Sequence, residues 1–378
     1  MKLSDKIEAI EESVTVQFTP LIQKLRNEGK EIIDFAVGEP DFETPLTVIE
    51  STKDAIDARK TRYGPVSGLY ELKSKIARQF DKYSSDNIII SNGSKQSLYS
   101  IFQAILNPLD EVIIPTPYWV SFSQQITLAG GIPVFVNTRD HQLDLNEIEK
   151  AITKKTKAIL INSPNNPTGA VYPKSDLEKI AELSLRYNLY IVSDEAYDFF
   201  VYGGLKHVTL FTFENIRDRV IITKSFSKSY SMTGFRVGYV AARKEIIRAI
   251  TKLQSHVSGN VCTFVQYGAL AALSVDESII LQRLNELERK RDAAYNYVSK
   301  LFNCIKPRGA FYLFPDVSSR LKKGETSKDF AAFLLKNAGV AVVPGEAFGM
   351  KNHIRISYAV DEKLLEKGFE KIFEVISR

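Results

Sequence analysis

The feature that most constrains the fold is a regular alternation of short apolar runs and longer amphipathic segments through the middle of the chain. Parallel strands that are covered on both faces read as near-continuous apolar runs, and consecutive parallel strands need a crossover connection, usually a helix. The pattern therefore predicts an α/β fold with a mostly parallel sheet flanked by helices. The predicted strands are residues 87–90, 111–114, 132–136, 157–161, 189–192, 220–223 and 236–240, and the clearest helices between them are 94–106, 119–128 and 175–187.

Both ends of the chain depart from this pattern. For residues 1–45 the sequence predicts an N-terminal arm that also forms part of a small domain, and for residues 46–276 it predicts a large α/β domain. Residues 277–378 begin with a long predicted helix at 279–301 and continue with mixed helix and strand signals. The sequence thus indicates a large central domain and a smaller α+β domain built from both termini.

Composition excludes several classes of protein. The 50 basic and 45 acidic residues are mixed along the chain, without the charged stripe or tail that is typical of nucleic-acid-binding proteins. The two cysteines and four histidines show no metal-ligand spacing. Acidic residues occupy the N-terminus where a secretory signal needs an apolar core, and the longest uncharged stretch, 253–275, is too polar for a membrane span. We expect a cytoplasmic protein with no metal, no nucleic acid and no membrane partner.

Polar and glycine-containing segments follow four of the predicted strands. In open α/β sheets, ligands bind at the carboxyl ends of the strands, which is where these segments fall. They supply a helix N-terminus with a glycine, an amide, a carboxylate with a phenol, and a lysine with an arginine. None of them contains a P-loop or a dinucleotide-binding glycine motif, so a nucleotide is not expected. The four segments are 91–95, 162–169, 193–197 and 225–236.

Three of these segments carry short sequence motifs, and the order of the motifs along the chain is informative. Asn-Asn-Pro-Thr-Gly stands at 165–169, Asp-Glu-Ala-Tyr at 194–197, and Ser-x-Ser-Lys-x-x-x-Met-x-Gly-x-Arg at 225–236. With these motifs the chain resembles the fold-type I pyridoxal 5'-phosphate (PLP) aminotransferases of class I/II, and in particular the prokaryotic aspartate aminotransferase subgroup. The resemblance extends from Gly-Glu-Pro-Asp-Phe at 38–42 to Ile-Arg-Ile-Ser at 354–357, nearly the whole chain.

The resemblance implies that Lys228 is the catalytic lysine, which forms a Schiff base with the cofactor. Such a lysine must be available as a neutral amine, which partial desolvation and nearby positive charge favour, and the freed amine can then carry a proton. Arg236, eight residues further on, matches the arginine that binds the cofactor phosphate, and Ser225 matches a hydroxyl ligand of the same group. Gly93 and Ser94 open a helix after a strand, where free backbone N–H groups favour an anion, and would complete the phosphate site.

The resemblance also implies the residues around the cofactor ring. Asp194 matches the carboxylate that pairs with the pyridine nitrogen, while Tyr197 and Asn166 match groups that hydrogen-bond the 3'-oxygen. Trp119 matches an aromatic residue that stacks on the ring, and both Trp119 and Asn166 also border the substrate. Tyr63 matches a tyrosine that reaches the phosphate in the neighbouring subunit, which implies a homodimer with shared active sites.

Substrate recognition is implied at four positions. Arg355 matches the arginine that binds the α-carboxylate of the amino acid, and Gly38 would let the backbone approach the same group. The arginine that binds the distal carboxylate in the best-known aspartate enzymes has no counterpart, because no Lys or Arg occurs between Lys252 and Arg283. Lys95 resembles the lysine that serves this purpose in the prokaryotic subgroup, although a solvated lysine near the cavity mouth remains an alternative. Thr15 matches a lid residue of that subgroup.

The expected function is PLP-dependent transamination by a ping-pong mechanism, between an L-amino acid, with aspartate favoured, and 2-oxoglutarate. Alternatives on the same fold are an aminotransferase for aromatic amino acids or alanine, and a PLP-dependent lyase. An alternative of another class is a transcription regulator that uses such a domain as a sensor. Regulators of that kind carry an added DNA-binding segment, for which the chain is expected to have no room because the enzyme motifs already begin at Gly38.

Overall fold

The structure is a computed structural model that describes residues 2–12 and 14–377, without the side chains of residues 14–19. The strands are β1 (Ile33–Asp34), β2 (Ile88–Ser91), β3 (Glu111–Thr116), β4 (Ile132–Asn137), β5 (Thr156–Asn162), β6 (Tyr190–Asp194), β7 (Val220–Ser225), β8 (Gly238–Ala241), β9 (Tyr312–Leu313), β10 (Val340–Ala341), β11 (Val343–Pro344) and β12 (Ile354–Ser357). The helices are α1 (Asp5–Glu8), α2 (Val14–Asn27), α3 (Leu46–Asp57), α4 (Tyr70–Ala77), α5 (Ser94–Ile105), α6 (Ser121–Leu128), α7 (Leu145–Lys150), α8 (Lys174–Tyr187), α9 (Phe226–Ser229), α10 (Lys244–Val257), α11 (Thr263–Ala272), α12 (Glu277–Leu301), α13 (Ser327–Asn337) and α14 (Glu362–Ile376).

A seven-stranded sheet organises the middle of the chain, in the order β2-β8-β7-β6-β5-β3-β4. Its neighbours pair in parallel from β7 to β4, whereas β8 runs antiparallel to both β2 and β7. Side chains that alternate along β2 enter different hydrophobic clusters, Ile88 and Ile90 on one face and Ile89 on the other. Both faces of the sheet are therefore buried under helices, and the predicted α/β fold with a mostly parallel sheet is confirmed.

Strand β8, the last strand of this sheet in chain order, begins later than predicted. The apolar run suggested a strand from residue 236, but β8 begins at Gly238. Arg236 has a φ of 54°, which belongs to the left-handed region and interrupts an extended strand. The turn directs the Arg236 guanidinium towards the backbone of Gly93, so the local irregularity has a structural purpose.

The two ends of the chain meet in a separate hydrophobic cluster. Strand β1 pairs in parallel with β10, and Ile33 and Phe35 pack with apolar residues of α12, α13 and α14. The predicted long helix at 279–301 is observed as α12, two residues longer at its start. The boundaries of the predicted domains, at 45/46 and 276/277, stay a prediction.

Within the described part of the chain, no single helix has both the length and the apolar composition needed to cross a membrane. The pair α11 and α12, bent by 82°, meets these criteria only when the two helices are taken together.

Candidate active site

A cavity of about 290 Å³ opens at the carboxyl edge of the parallel strands. Its lining brings together residues from both ends of the chain and from the loops that follow β2, β3, β5, β6 and β7. Most of these residues are predicted from the sequence, the exceptions being Ala36, Asn162, Ala196 and Tyr312. The lining residues are Ala36, Gly38, Ser94, Trp119, Asn162, Asn166, Asp194, Ala196, Tyr197, Lys228, Tyr312 and Arg355.

Lys228 lies on the one-turn helix α9, which directly follows β7. The Ser225 hydroxyl caps this turn by accepting a hydrogen bond from the Ser227 N–H at 3.0 Å. The Lys228 ammonium donates a hydrogen bond to the Gly38 carbonyl oxygen across the cavity. Burial, together with the positive charges of Arg355 and Arg236, lowers the pKa of Lys228 to about 8. The fraction of neutral amine at physiological pH is therefore far larger than for an exposed lysine, as a nucleophilic lysine requires.

An anion cradle forms beside Lys228 at the start of α5. Gly93 precedes this helix with φ 79° and ψ 164°, a conformation that is essentially restricted to glycine. A Cβ at Gly93 would lie 2.9 Å from Arg236 Nη2, and a Cβ at Gly238 would lie 2.7 Å from the Ser94 backbone nitrogen. Two glycines thus let a guanidinium and a helix N-terminus approach each other closely. The Ser225 hydroxyl hydrogen is free to donate because its oxygen accepts the capping bond.

Asp194 ends β6 in a fully enclosed position, with 4% of its surface exposed. Its carboxylate accepts a hydrogen bond from the Ala196 N–H at 3.1 Å. Burial, aided by the neighbouring charge of Glu195, raises the pKa of Asp194 to about 7, although the Ala196 hydrogen bond acts in the opposite direction. Among the described residues, no cationic side chain is in hydrogen-bond contact with this carboxylate, so it is well placed to ionise beside a positively charged ligand group.

Arg355 is held on β12 as a rigid fork, and 3% of its surface is exposed. Its Nη1 donates to Asn166 Oδ1 at 3.1 Å and its Nη2 donates to the Ala36 carbonyl at 2.8 Å. The guanidinium carbon stands 4.3 Å from the centroid of the Tyr312 ring. Its Nε is buried and has no hydrogen-bond partner among the described residues, so the fork retains a donor for an incoming anion.

Asn162 and Tyr312 are site residues that the sequence interpretation missed. Asn162 accepts the Asn166 N–H at 3.0 Å and donates to the Asp194 carbonyl at 3.1 Å, so it ties two functional loops together. The Tyr312 hydroxyl lies 2.9 Å from the Tyr197 hydroxyl. Asn162 lies three residues before the predicted 165–169 motif and could have been singled out, whereas Tyr312 lies in an aromatic run that resembles ordinary core.

A second feature that the sequence interpretation missed is the network of charged side chains around Glu195, the residue after Asp194. Glu195 is 1% exposed, and its carboxylate lies 3.4 Å from the Lys224 ammonium and 3.2 Å from His207 Nε2. Burial alone would raise the pKa of Glu195, but the Lys224 charge and the contacts with His207 lower it to about 2. The network therefore keeps a charged carboxylate next to Asp194. Its members are spread over 30 residues of sequence and form no motif.

Five predicted residues with described side chains lie outside the lining of this cavity: Gly93, Ser225 and Arg236 form the adjoining cradle, and the other two are Lys95 and Tyr63. The Lys95 ammonium lies 5.1 Å from the centroid of the Trp119 ring, and burial together with the Arg236 charge lowers the pKa of Lys95. Tyr63 is 99% exposed, away from the site of its own chain. Thr15 lies outside the residues whose side chains are described.

The cavity fits a PLP group by its own chemistry. A phosphate suits the cradle that the two glycines leave open, a pyridinium suits the buried Asp194 carboxylate, and an aldehyde carbon suits an amine of lowered pKa. The unused donor of Arg355 suits the carboxylate of an amino acid. Fold and site together are those of a PLP-dependent enzyme of fold type I.

The chain belongs to the family "Aminotransferase class I and II", whose model matches residues 30–372, and it is a PLP-dependent aminotransferase. It is 42% identical to a probable aspartate/prephenate aminotransferase of Aquifex aeolicus, over 98% of this chain and 97% of that protein. It is 38% identical to the aspartate aminotransferase of Bacillus subtilis, with both chains covered in full. The solved structure of Thermus thermophilus aspartate aminotransferase with maleate superposes with a TM-score of 0.95 at 36% identity, over 99% of this chain and 100% of that one.

Proposed function

We propose that the enzyme transfers the amino group of L-aspartate to 2-oxoglutarate by a ping-pong mechanism. The observation that carries this proposal is the cavity in which Lys228 and the buried Arg355 fork converge, with a further cation, Lys95, beside Trp119 of its lining. Two cations placed for two carboxylates suit a dicarboxylic substrate. The aspartate aminotransferases among the relatives support the same substrate.

The cofactor would be held at four points: its pyridine nitrogen, its ring face, its phosphate and its 3'-oxygen. Bound PLP supplies an electron sink, which accepts the charge released when the Cα–H bond of the amino acid breaks. The Asp194 carboxylate would keep a proton on the pyridine nitrogen, and the side chain of Trp119 would cover the ring. The phosphate would be bound by Gly93, Ser94, Ser225 and Arg236, and the 3'-oxygen by Asn166 and Tyr197.

Arg355 binds and orients the amino acid. Its guanidinium is fixed by Asn166 and by the Ala36 carbonyl before any substrate arrives, so little rotamer entropy is lost on binding. With the α-carboxylate on this fork, the substrate is oriented with its Cα–H within reach of one base.

Lys228 is that base. Once its amine is free, it would take the proton from Cα, and the same amine would deliver that proton to the cofactor carbon that receives the amino group. The low pKa makes the neutral form accessible, while the Gly38 carbonyl holds the protonated form after transfer. Lys228 therefore both holds the cofactor and moves the proton.

Lys95 would bind the second carboxylate of aspartate. It occupies the first turn of α5, where a cation opposes the helix dipole by about 0.3–1 kcal/mol. Burial already disfavours its charged form, so an anionic partner would relieve both costs. The solvated-lysine alternative predicts no preference for dicarboxylates.

We further propose a homodimer in which Tyr63 of each chain completes the phosphate site of the other. Tyr63 is a large aromatic residue with 99% exposure, and Tyr70 and Leu46 are also strongly exposed. Both cysteines are free thiols, which is consistent with a reducing cytoplasm. Sedimentation should give twice the chain mass, and Tyr63→Phe should weaken PLP binding without dissociating the dimer. A monomer with full activity would refute this arrangement.

The proposed reaction is tested by spectroscopy and product analysis. The PLP-loaded protein should show a visible absorption band that shifts on addition of aspartate, with one oxaloacetate and one glutamate formed per turnover in the presence of 2-oxoglutarate. Lys228→Ala should lose the band and the activity, whereas Lys322→Ala, a change at an exposed lysine, should retain both. A colourless wild type would refute PLP binding, and release of ammonia would indicate a lyase instead.

A further inference from the structure

A strap formed by residues 36–44 crosses the mouth of the cavity between β1 and α3. Two of its backbone carbonyls hold the two functional cations. The Ala36 carbonyl accepts a hydrogen bond from Arg355 Nη2 at 2.8 Å, and the Gly38 carbonyl accepts one from the Lys228 ammonium. The position of the strap therefore sets where both cations can stand.

The other half of the strap is anchored on α12 by Lys290. The Lys290 ammonium lies 2.5 Å from the Asp41 carboxylate of the strap and 2.8 Å from the Glu286 carboxylate of its own helix. It also lies 5.6 Å from the centroid of the Phe42 ring, whose other cationic neighbour is Arg283 at 5.3 Å. Lys290 thus contacts two consecutive residues of the strap at once.

Lys290 is unusual because its charge is buried. Only 3% of the residue is exposed, and an ammonium is rarely enclosed to this extent unless it is paired. Burial alone would lower the pKa of Lys290, but the hydrogen bonds with Asp41 and Glu286 raise it. The ammonium therefore stays charged and remains tied to the strap.

We propose that Lys290 is a positioning residue for transamination, which acts through the strap on Lys228 and Arg355. This inference rests on the proposed function, because it assigns Lys290 to the same site. Its function is to hold Asp41 and Phe42 so that the Gly38 and Ala36 carbonyls meet the two cations in the orientation that binds the amino acid.

The strap is short and stiff enough to transmit this constraint. Asp41 is the third residue after Gly38, a span of at most about 10 Å. Pro40 lies between them, is buried, and has a fixed φ. Gly38 in turn packs close to the arginine, since a Cβ there would lie 3.9 Å from Arg355 Nη2. A shift at Asp41 therefore reaches the cavity.

The test compares Lys290→Met with Arg289→Met, a matched change at the preceding residue of α12. Arg289 pairs with Glu362 at 3.7 Å, and that partner belongs to α14 and not to the strap. Both variants are loaded with PLP. Three quantities are measured: hydrogen exchange of the strap amides, the KM and kcat for aspartate, and the Kd for PLP.

Lys290→Met should raise both strap exchange and the aspartate KM by about tenfold or more, with kcat falling less. The Kd for PLP should stay within about twofold, because among the described hydrogen bonds the strap reaches the phosphate cradle only indirectly, through the bond that Glu39 accepts from Thr233. Arg289→Met should leave all three quantities within about twofold of wild type, and Lys290→Arg, which keeps the charge, should largely restore KM. If Lys290→Met does not fold, Asp41→Asn tests the same contact while Lys290 keeps Glu286.

Unchanged strap exchange in Lys290→Met would overturn the inference. Faster exchange with an unchanged KM would overturn it as well, since the strap would then move without consequence for substrate binding. Failure of the proposed substrate would appear already in the wild type, whereas failure of this inference appears only in the difference between the two methionine variants.

Discussion

Replacement of Gly93 by alanine tests the anion cradle most directly. The new Cβ would stand 2.9 Å from Arg236 Nη2 and 3.4 Å from its Cζ, so the guanidinium has to move away from the start of α5. Gly93 also has a φ and ψ that other residues adopt at a cost of about 1–3 kcal/mol. That backbone strain is present with and without cofactor, and hence it lowers the free energy of unfolding rather than the affinity for PLP.

The expected loss of PLP affinity follows from the displaced arginine. A hydrogen bond to a charged group contributes about 1.5–3 kcal/mol, and each 1.4 kcal/mol corresponds to a tenfold change in Kd. Gly93→Ala should therefore raise the Kd for PLP by about 10- to 100-fold. The measurement is equilibrium titration of the apoenzyme with PLP, followed by absorbance, at a temperature where the variant is folded.

Gly29 provides the matched control. It has a φ of 80°, almost the same as at Gly93, but a Cβ there would meet nothing within 4 Å. Gly29→Ala should lose stability while keeping the wild-type Kd. Equal Kd values for the two variants, or an unchanged Kd in Gly93→Ala, would refute the role of the Gly93 and Arg236 contact in binding phosphate.

The remaining predictions concern three ionisable side chains. Because burial raises the pKa of Asp194 to about 7, its ionisation destabilises the apoenzyme as pH rises from about 4 to 7. Asp194→Asn should therefore raise the free energy of unfolding of the apoenzyme by about 1–3 kcal/mol at pH 8, and leave it unchanged at pH 4, as measured by urea unfolding. The same variant should impair catalysis. No gain in stability at pH 8 would contradict this prediction. The rate at which the apoenzyme binds PLP, followed by stopped-flow absorbance, should rise with pH around a midpoint of about 8, because only neutral Lys228 reacts. A midpoint near 10.5 would be inconsistent with the lowered pKa of Lys228. Lys95→Ala should reduce kcat/KM for aspartate by about tenfold or more and for alanine by less than about twofold, and equal losses would favour a solvated Lys95.

The predictability of the structure differs between elements. Helix α8 begins one residue before its predicted start and ends at the predicted residue, because a periodic apolar face and a left-handed Asn188 cap are local properties. Strand β8 was misplaced by two residues, because Arg236 adopts a left-handed φ that its apolar flanking sequence did not indicate. The antiparallel pairing of β8 within an otherwise parallel sheet is likewise a matter of long-range pairing.

The candidate site likewise combines residues that local sequence identifies with contacts that only long-range packing creates. Lys228, Asp194 and Asn166 follow predicted strands and belong to motifs, so residue type and order were enough to select them. Tyr312 belongs to no such motif, and its hydroxyl meets Tyr197 across 115 residues of chain. The connection of Lys290 to Asp41 spans 249 residues and could not be inferred from either local sequence.

By itself, the sequence determined the α/β fold and the family and predicted the main residues of the candidate site, because apolar periodicity and short motifs are local features of the chain. Only the tertiary structure decided the chemistry of those residues. Arg355 is held as a fork by an asparagine 189 residues away, and the pKa of Lys228 falls because burial and two arginines surround it. Burial and through-space charge act over ångströms and not along the chain, so these properties exist only once the chain has folded.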